Sequence, residues 1–148
     1  MQSLNLPKYE FRLITKNKEE HIYDIIRNKF LLLTPEEWVR QHMIHYLIKD
    51  LKYPKGLVKV ESGVVYNASV KRSDIVIYNT LGRPYILVEC KSPSIKINQS
   101  TFEQVAMYNR TLNASIIILT NGLMHYTFKF GERGELINLN EIPKFERK

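Results

Sequence analysis

The run Ser115-Ile116-Ile117-Ile118-Leu119-Thr120 constrains this chain most. It has no polar alternation, so as a strand it needs cover on both faces, which places it in the middle of a sheet. Asn121-Gly122 ends it. A second apolar run, Tyr85-Ile86-Leu87-Val88, closes on Glu89-Cys90-Lys91 and breaks at Ser92-Pro93. Residues i and i+2 of a strand share a face. Glu89 and Lys91 therefore project together and Cys90 points the other way, into the core. A carboxylate and an ammonium at the end of a buried strand call for pairing or for chemical use.

The other elements arrange themselves around these strands. Thr34-Pro35-Glu36-Glu37 is a helix start, with Thr34 as cap, Pro35 in the first turn and Glu37 completing a capping box. The helix should run to about Leu51, burying Val39, Met43, Tyr46, Leu47 and Leu51, and Tyr53-Pro54-Lys55-Gly56 ends it. Leu57–Glu61, Ser73–Tyr78 and Pro84–Lys91 read as three strands of an antiparallel meander, with Gly63–Tyr66 continuing or bending the first. A loop over 92–99 leads to a helix from about Ser100 to Leu112. Phe102, Val105, Ala106 and Leu112 share one face of it, while Gln104 and Tyr108 lie a turn apart on another. Met124–Phe130 is a further strand, and Gly131-Glu132-Arg133-Gly134 turns the chain into Glu135–Leu139. Residues 1–33 show a short strand near Phe11–Ile14, a turn at Lys16–Lys18, and apolar anchors at Tyr23–Arg27 and Phe30–Leu33 that read as a second strand packed on the core.

The expected fold is one α/β domain over 1–148. Its core spans about 34–130, with an N-terminal extension over 1–33 and a C-terminal hairpin and tail over 131–148. About five strands should form a mixed sheet with helices on its faces. No apolar run reaches bilayer length, and no basic segment precedes an apolar one at the N-terminus, so a cytoplasmic location without membrane contact is expected. The single cysteine excludes an internal disulfide. A net charge of +7 favours a polyanionic partner, nucleic acid first.

The turn between the second and third core strands serves as a ruler. If Asn79–Pro84 pivots between Leu81 and Gly82, Thr80 faces Arg83 and Asp74 falls opposite Glu89. Facing carboxylates repel, and a divalent cation removes the conflict. All-oxygen donors suit Mg²⁺ or Mn²⁺ rather than zinc. Lys91, on the same face, is placed to orient an attacking water or to stabilise charge on a phosphate. Asp, Glu and Lys with a hard metal on a basic chain point to phosphodiester hydrolysis.

Asp74 followed by Glu89-Cys90-Lys91 resembles the motif of PD-(D/E)XK nucleases. Arg72–Val76 and Leu87–Pro93 resemble the N-terminal nuclease domain of the type I restriction enzyme R subunit. Gln104-Val105-Ala106-Met107-Tyr108 is similar to the Gln-x-x-x-Tyr element after the catalytic strand in that group, and Thr34–Arg40 to its opening helix. The resemblance spans about residues 34–128. Ser73 stands where the motif has proline. It implies a restriction-endonuclease-like core in the order α-β-β-β-α-β and Mg²⁺-dependent DNA cleavage. Catalysis would fall to Asp74, Glu89, Lys91 and Gln104. Asp74 and Glu89 would bind metal, with Glu37 as the helix carboxylate. Arg72, Tyr108 and Arg40 would contact nucleic acid. The partners implied are DNA, other restriction–modification or helicase subunits, and a second copy in a homodimer. The motor domains of type I subunits do not follow within this sequence, so ATP-driven translocation is not expected of it alone.

Other residues carry plainer readings. Glu37 is first a capping residue and Glu61 a weaker carboxylate candidate. His42 and His45, at i and i+3, form a conceivable metal pair but read as partly exposed surface residues. Trp38 reads as packing rather than a base platform. The alternative function is a non-catalytic DNA-binding or assembly module with a nuclease fold. RNA is the alternative substrate.

Overall fold

The computed structural model describes residues 1–60, 64–66, 69–71 and 75–147, with the backbone alone for 64–66 and 69–71. Asp74, Arg72, Ser73 and Glu61 lie outside the described residues.

A six-stranded mixed sheet forms the centre. Its strands are β4 (Val58–Lys59), β7 (Ile75–Tyr78), β8 (Pro84–Cys90), β9 (Ile116–Thr120), β10 (His125–Phe130) and β11 (Leu136–Leu139). Their spatial order is β11-β10-β9-β8-β7-β4, so β8 and β9 sit in the middle. They pair in parallel, Leu87 beside Ile117 and Glu89 beside Leu119, and every other pair in this sheet is antiparallel. The parallel pair needs a crossover, which α2 (Gln99–Leu112) supplies. Every residue of β9 is buried, as its sequence demands.

The two faces of β8 pack on different helices. Ile86, Val88 and Cys90 join Val39, Met43 and Ile44 of α1 (Pro35–His45). Leu87 joins Val76, Ile117 and Leu119 under Val105 and Tyr108 of α2. Fully burying each such side chain contributes about 1.5–3 kcal/mol relative to exposure. Thr34 caps α1, its hydroxyl accepting from the Glu37 N–H at 3.0 Å. The return half of the expected capping box is absent, because the Glu37 carboxylate turns to guanidinium groups instead. A π-helical stretch, Tyr46–Asp50, follows α1 and the Leu51 N–H bonds the Tyr46 carbonyl.

The N-terminal segment carries a second sheet, which joins α1 through Asp24 and Gln41. β1 (Leu13–Lys16), β2 (Glu19–Asp24) and β3 (Lys29–Leu32) form an antiparallel sheet. Asn17 and Lys18 take positive φ in its first turn and Asn28 in its second. Between β4 and β7 the chain makes a separate two-stranded ladder, β5 (Val64–Tyr66) with β6 (Ser69–Lys71). Among the described residues the expected first core strand is correspondingly short: Leu57 belongs to a 3₁₀ turn, and Val58 and Lys59 pair with β7. Among the described residues no helix is long and apolar enough to cross a membrane.

Candidate active site

Glu89 and Lys91 stand at the carboxyl end of β8. The Lys91 ammonium lies 3.1 Å from Glu89 Oε1, and the side chains keep 30% and 16% of their exposure. The strand delivers both groups to the α2 face, since Leu87 and the neighbouring Leu119 belong to that cluster. Cys90, between them, is fully buried on the α1 face. The Lys91 N–H donates to the Thr120 carbonyl at 2.8 Å, so β9 fixes the backbone that carries the ammonium. A part-exposed ion pair of this kind contributes about 0–1 kcal/mol to stability. Packing alone would be better served by apolar side chains here, in the middle of the sheet.

The ladder between β7 and β8 pairs Ile75 with Val88, Val76 with Leu87 and Ile77 with Ile86. That is the register the sequence ruler requires. The turn reaches it by a different route. Thr80 does not face Arg83; Asn79 does, its N–H bonding the Arg83 carbonyl at 2.8 Å. The Asn79 side chain accepts from the N–H groups of Leu81 and Arg83, and Gly82 takes φ of 79°. This wider turn moves the pairing by one residue, to Tyr78 with Pro84, and a bulge between Ile77 and Tyr78 restores it.

Glu37 is brought to a different cluster. Its Oε1 accepts from Arg40 at 2.7 Å, and its Oε2 from Arg27 at 3.1 Å and Gln41 at 2.9 Å. Arg40 also holds Glu36 at 2.8 Å. Asp24, fully buried at the end of β2, accepts from Arg27 Nε and Gln41 Nε2 and completes the network. Burial alone would raise the Asp24 pKa. Hydrogen bonds from the Arg27 backbone, Gln41 and the Arg27 side chain, with the Arg27 charge, outweigh burial and hold it below the usual carboxylate range. Glu37 and Arg40 thus join α1 to the N-terminal sheet, on the helix that packs against the opposite sheet face from Glu89. Among the described residues, no three His, Cys, Asp or Glu side chains gather as a metal-ligand set.

On α2, Gln104 is exposed and Tyr108 is not. Tyr108 packs with Val105 against Leu87, so it belongs to the buried stripe rather than to a separate polar face. Its buried hydroxyl finds no hydrogen-bond partner among the described residues. The ring is therefore closed to base stacking.

His42 and His45 are buried, not surface residues. Phe11, Tyr9 and Trp38 pack around them, and Trp38 Nε1 donates to the Gln2 carbonyl, confirming its packing role. The His42 Nδ1–H donates to the Trp38 carbonyl at 2.8 Å. Burial, with Lys49 and His42 nearby, pushes the His45 pKa down to about 4. The aromatic segment of residues 9–11 that covers them carried no periodic signal.

One feature beside Glu89 escaped the sequence reading altogether. A groove of about 300 Å³ lies between the start of α2 and the β10–β11 edge, with Leu119 in its lining. The alternation Tyr126-x-Phe128-x-Phe130, which puts three rings on one strand face, was the available signal.

Residues 35–143 match the family model of the type I restriction enzyme R protein N terminus. Among solved structures, a fragment described as an HsdR subunit of a type I restriction enzyme from Vibrio vulnificus YJ016 is 25% identical, with a TM-score of 0.38. The likeness covers 59% of this chain and 16% of that one, so the chain spans a small part of its solved relative. No curated protein matches.

Proposed function

Because the chain belongs to the family of type I restriction enzyme R protein N termini, we propose that it is a metal-dependent nuclease that hydrolyses DNA phosphodiester bonds at a PD-(D/E)XK site. The observation that carries this reading is the Glu89–Lys91 pair, 3.1 Å apart and partly exposed at the end of the central strand β8. The β7–β8 register at Ile75 and Val88 supports it, since Asp74 immediately precedes Ile75.

Asp74 and Glu89 would hold a hard divalent cation, Mg²⁺ or Mn²⁺, which when bound supplies Lewis-acid polarisation of the phosphoryl oxygen. The donor chemistry fits: Glu89 offers carboxylate oxygens, and the one soft candidate nearby, Cys90, turns its thiol into the core. Lys91 would donate to the scissile phosphate or orient the attacking water, stabilising charge as it develops. Gln104, on the exposed side of α2, would support the substrate. Arg72 would contact the phosphate backbone. Tyr108 and Arg40 would act by position, one beneath the site and one through Glu36 and Glu37. Glu37 would stay outside this site, because Arg27 and Arg40 hold its oxygens and its helix packs on the opposite sheet face from Glu89. Partner subunits of a restriction–modification assembly would supply targeting.

The test is supercoiled plasmid incubated with Mg²⁺. Wild type should nick it, and Glu89→Ala and Lys91→Ala should lose about 10²-fold or more while staying folded by circular dichroism. A wild type that binds DNA yet stays inert across metals and DNA forms would leave the non-catalytic module standing.

A further inference from the structure

The groove beside the ion pair bears on what the site takes. Phe102 of α2 and Phe128 of β10 pack on one another, ring centroids 5.0 Å apart and planes tilted by 58°, and together form one aromatic wall of it. Leu119 lines it, and Leu119 is the ladder neighbour of Glu89. Neighbouring strands lie about 4.8 Å apart, so the groove begins one strand from the carboxylate and on the same face. Tyr126 and Leu136 at its outer side are 37% and 45% exposed. Asn98 and Gln99 add two amides to an otherwise apolar and aromatic lining.

The volume, about 300 Å³, sits at the bottom of the range of small-ligand sites, roughly 300–1,000 Å³. It suits one flat heterocycle rather than a helix or a folded partner. A stable protein interface uses about 20–30 residues a side, against eight residues lining this groove. The chain carries a net charge of +7, which draws a polyanion to whatever apolar surface it offers.

We infer that the Phe102–Tyr126–Phe128 groove holds an unpaired nucleobase of the strand engaged at Glu89 and Lys91. The site then favours DNA with a single-stranded segment, a frayed end or an extruded base over intact blunt duplex. This rests on the nuclease reading of the ion pair for its choice of ligand. Stacking on aromatic faces tolerates every base, so the groove selects strand state rather than sequence.

The test is direct binding in chelator, where no cleavage occurs. A single-stranded oligonucleotide carrying 2-aminopurine and its blunt duplex are titrated with the full chain. Wild type should quench the 2-aminopurine and prefer the single strand. Tyr126→Ala, at an exposed position, should weaken single-strand binding roughly tenfold and leave duplex binding nearly unchanged. Tyr126→Phe should keep the wild-type affinity. The inference is overturned if there is no quenching, if Tyr126→Ala binds as wild type, or if strand and duplex weaken equally. Sedimentation showing a wild-type dimer that Tyr126→Ala splits would also overturn it, giving the groove to a second copy. Nicking activity plays no part in the readout, so failure of the groove and failure of the nuclease reading are separable.

Discussion

Asp24→Ala should be among the most damaging substitutions in the chain, although Asp24 lies far in sequence from the candidate site. Its carboxylate accepts from the N–H groups of Ile26 and Arg27, both at 2.8 Å, from Arg27 Nε at 2.7 Å and from Gln41 Nε2 at 2.9 Å. Removing one partner of a buried ion pair costs about 3–5 kcal/mol. The Arg27 side chain keeps 24% of its exposure, so water recovers part of that loss. Gln41 keeps its bond to Glu37, but it is fully buried, so its other N–H loses its partner out of reach of water. The lower end, about 3 kcal/mol, is expected, a large share of the 5–15 kcal/mol typical of a domain. At roughly 2–4 °C per kcal/mol, the midpoint should fall by about 6–12 °C. The wild-type carboxyl titrates below its unfolded value, so its contribution is present above about pH 4 and lost as pH falls through the folded pKa. Urea unfolding followed by circular dichroism, at neutral pH and then stepwise into acid, measures both effects. A loss under about 1 kcal/mol at unchanged m-value, or an acid slope identical in the variant, would refute this account of the network.

Two other outcomes follow from buried groups. His45 is held neutral, with a folded pKa of about 4 against about 6.5 unfolded. The unfolded chain therefore binds the proton first, and stability should fall as pH drops from about 6.5 towards 4. His45→Leu should flatten that part of the stability–pH curve, and a slope unchanged from wild type would remove His45 as its source. Cys90→Ala should cost about 1–2 kcal/mol through a small core cavity yet leave plasmid nicking intact. Loss of cleavage in a folded Cys90→Ala protein would mean that the thiol takes part in chemistry.

What the sequence made legible follows the strength of its local signals. β9 and β8 are apolar runs with only one stable home, and the Thr34-Pro35 start of α1 is chemically unambiguous, so these elements fall where expected. The register at Ile75 and Val88 came out of a turn whose own geometry differs, because the Asn79 side chain organises a wider loop that the bulge then corrects. The N-terminal sheet was legible only in part. The short strand and the turn at Lys16–Lys18 fall at β1 and the turn that follows it, but β1 is exposed along its whole length, so no burial pattern marked its pairing with β2 or that of β2 with β3. Glu37 was misjudged because a capping motif fixes the backbone partner of Thr34 but not where a carboxylate finds guanidinium groups, which here come in part from Arg27, outside the helix. Tyr108 was assigned to the wrong side of α2 because Gln104 and Tyr108 are neighbours on a helical wheel, while the sheet beneath decides which of them it covers.

The measurement closest to the central claim is calorimetric titration of metal-free protein with Mn²⁺. The account predicts binding by the wild type that is abolished in Asp74→Ala and in Glu89→Ala, and retained in Cys90→Ala, whose thiol faces the core. Binding that survives both carboxylate substitutions, or that never appears in the wild type, would contradict a metal site built on Glu89 beside Lys91.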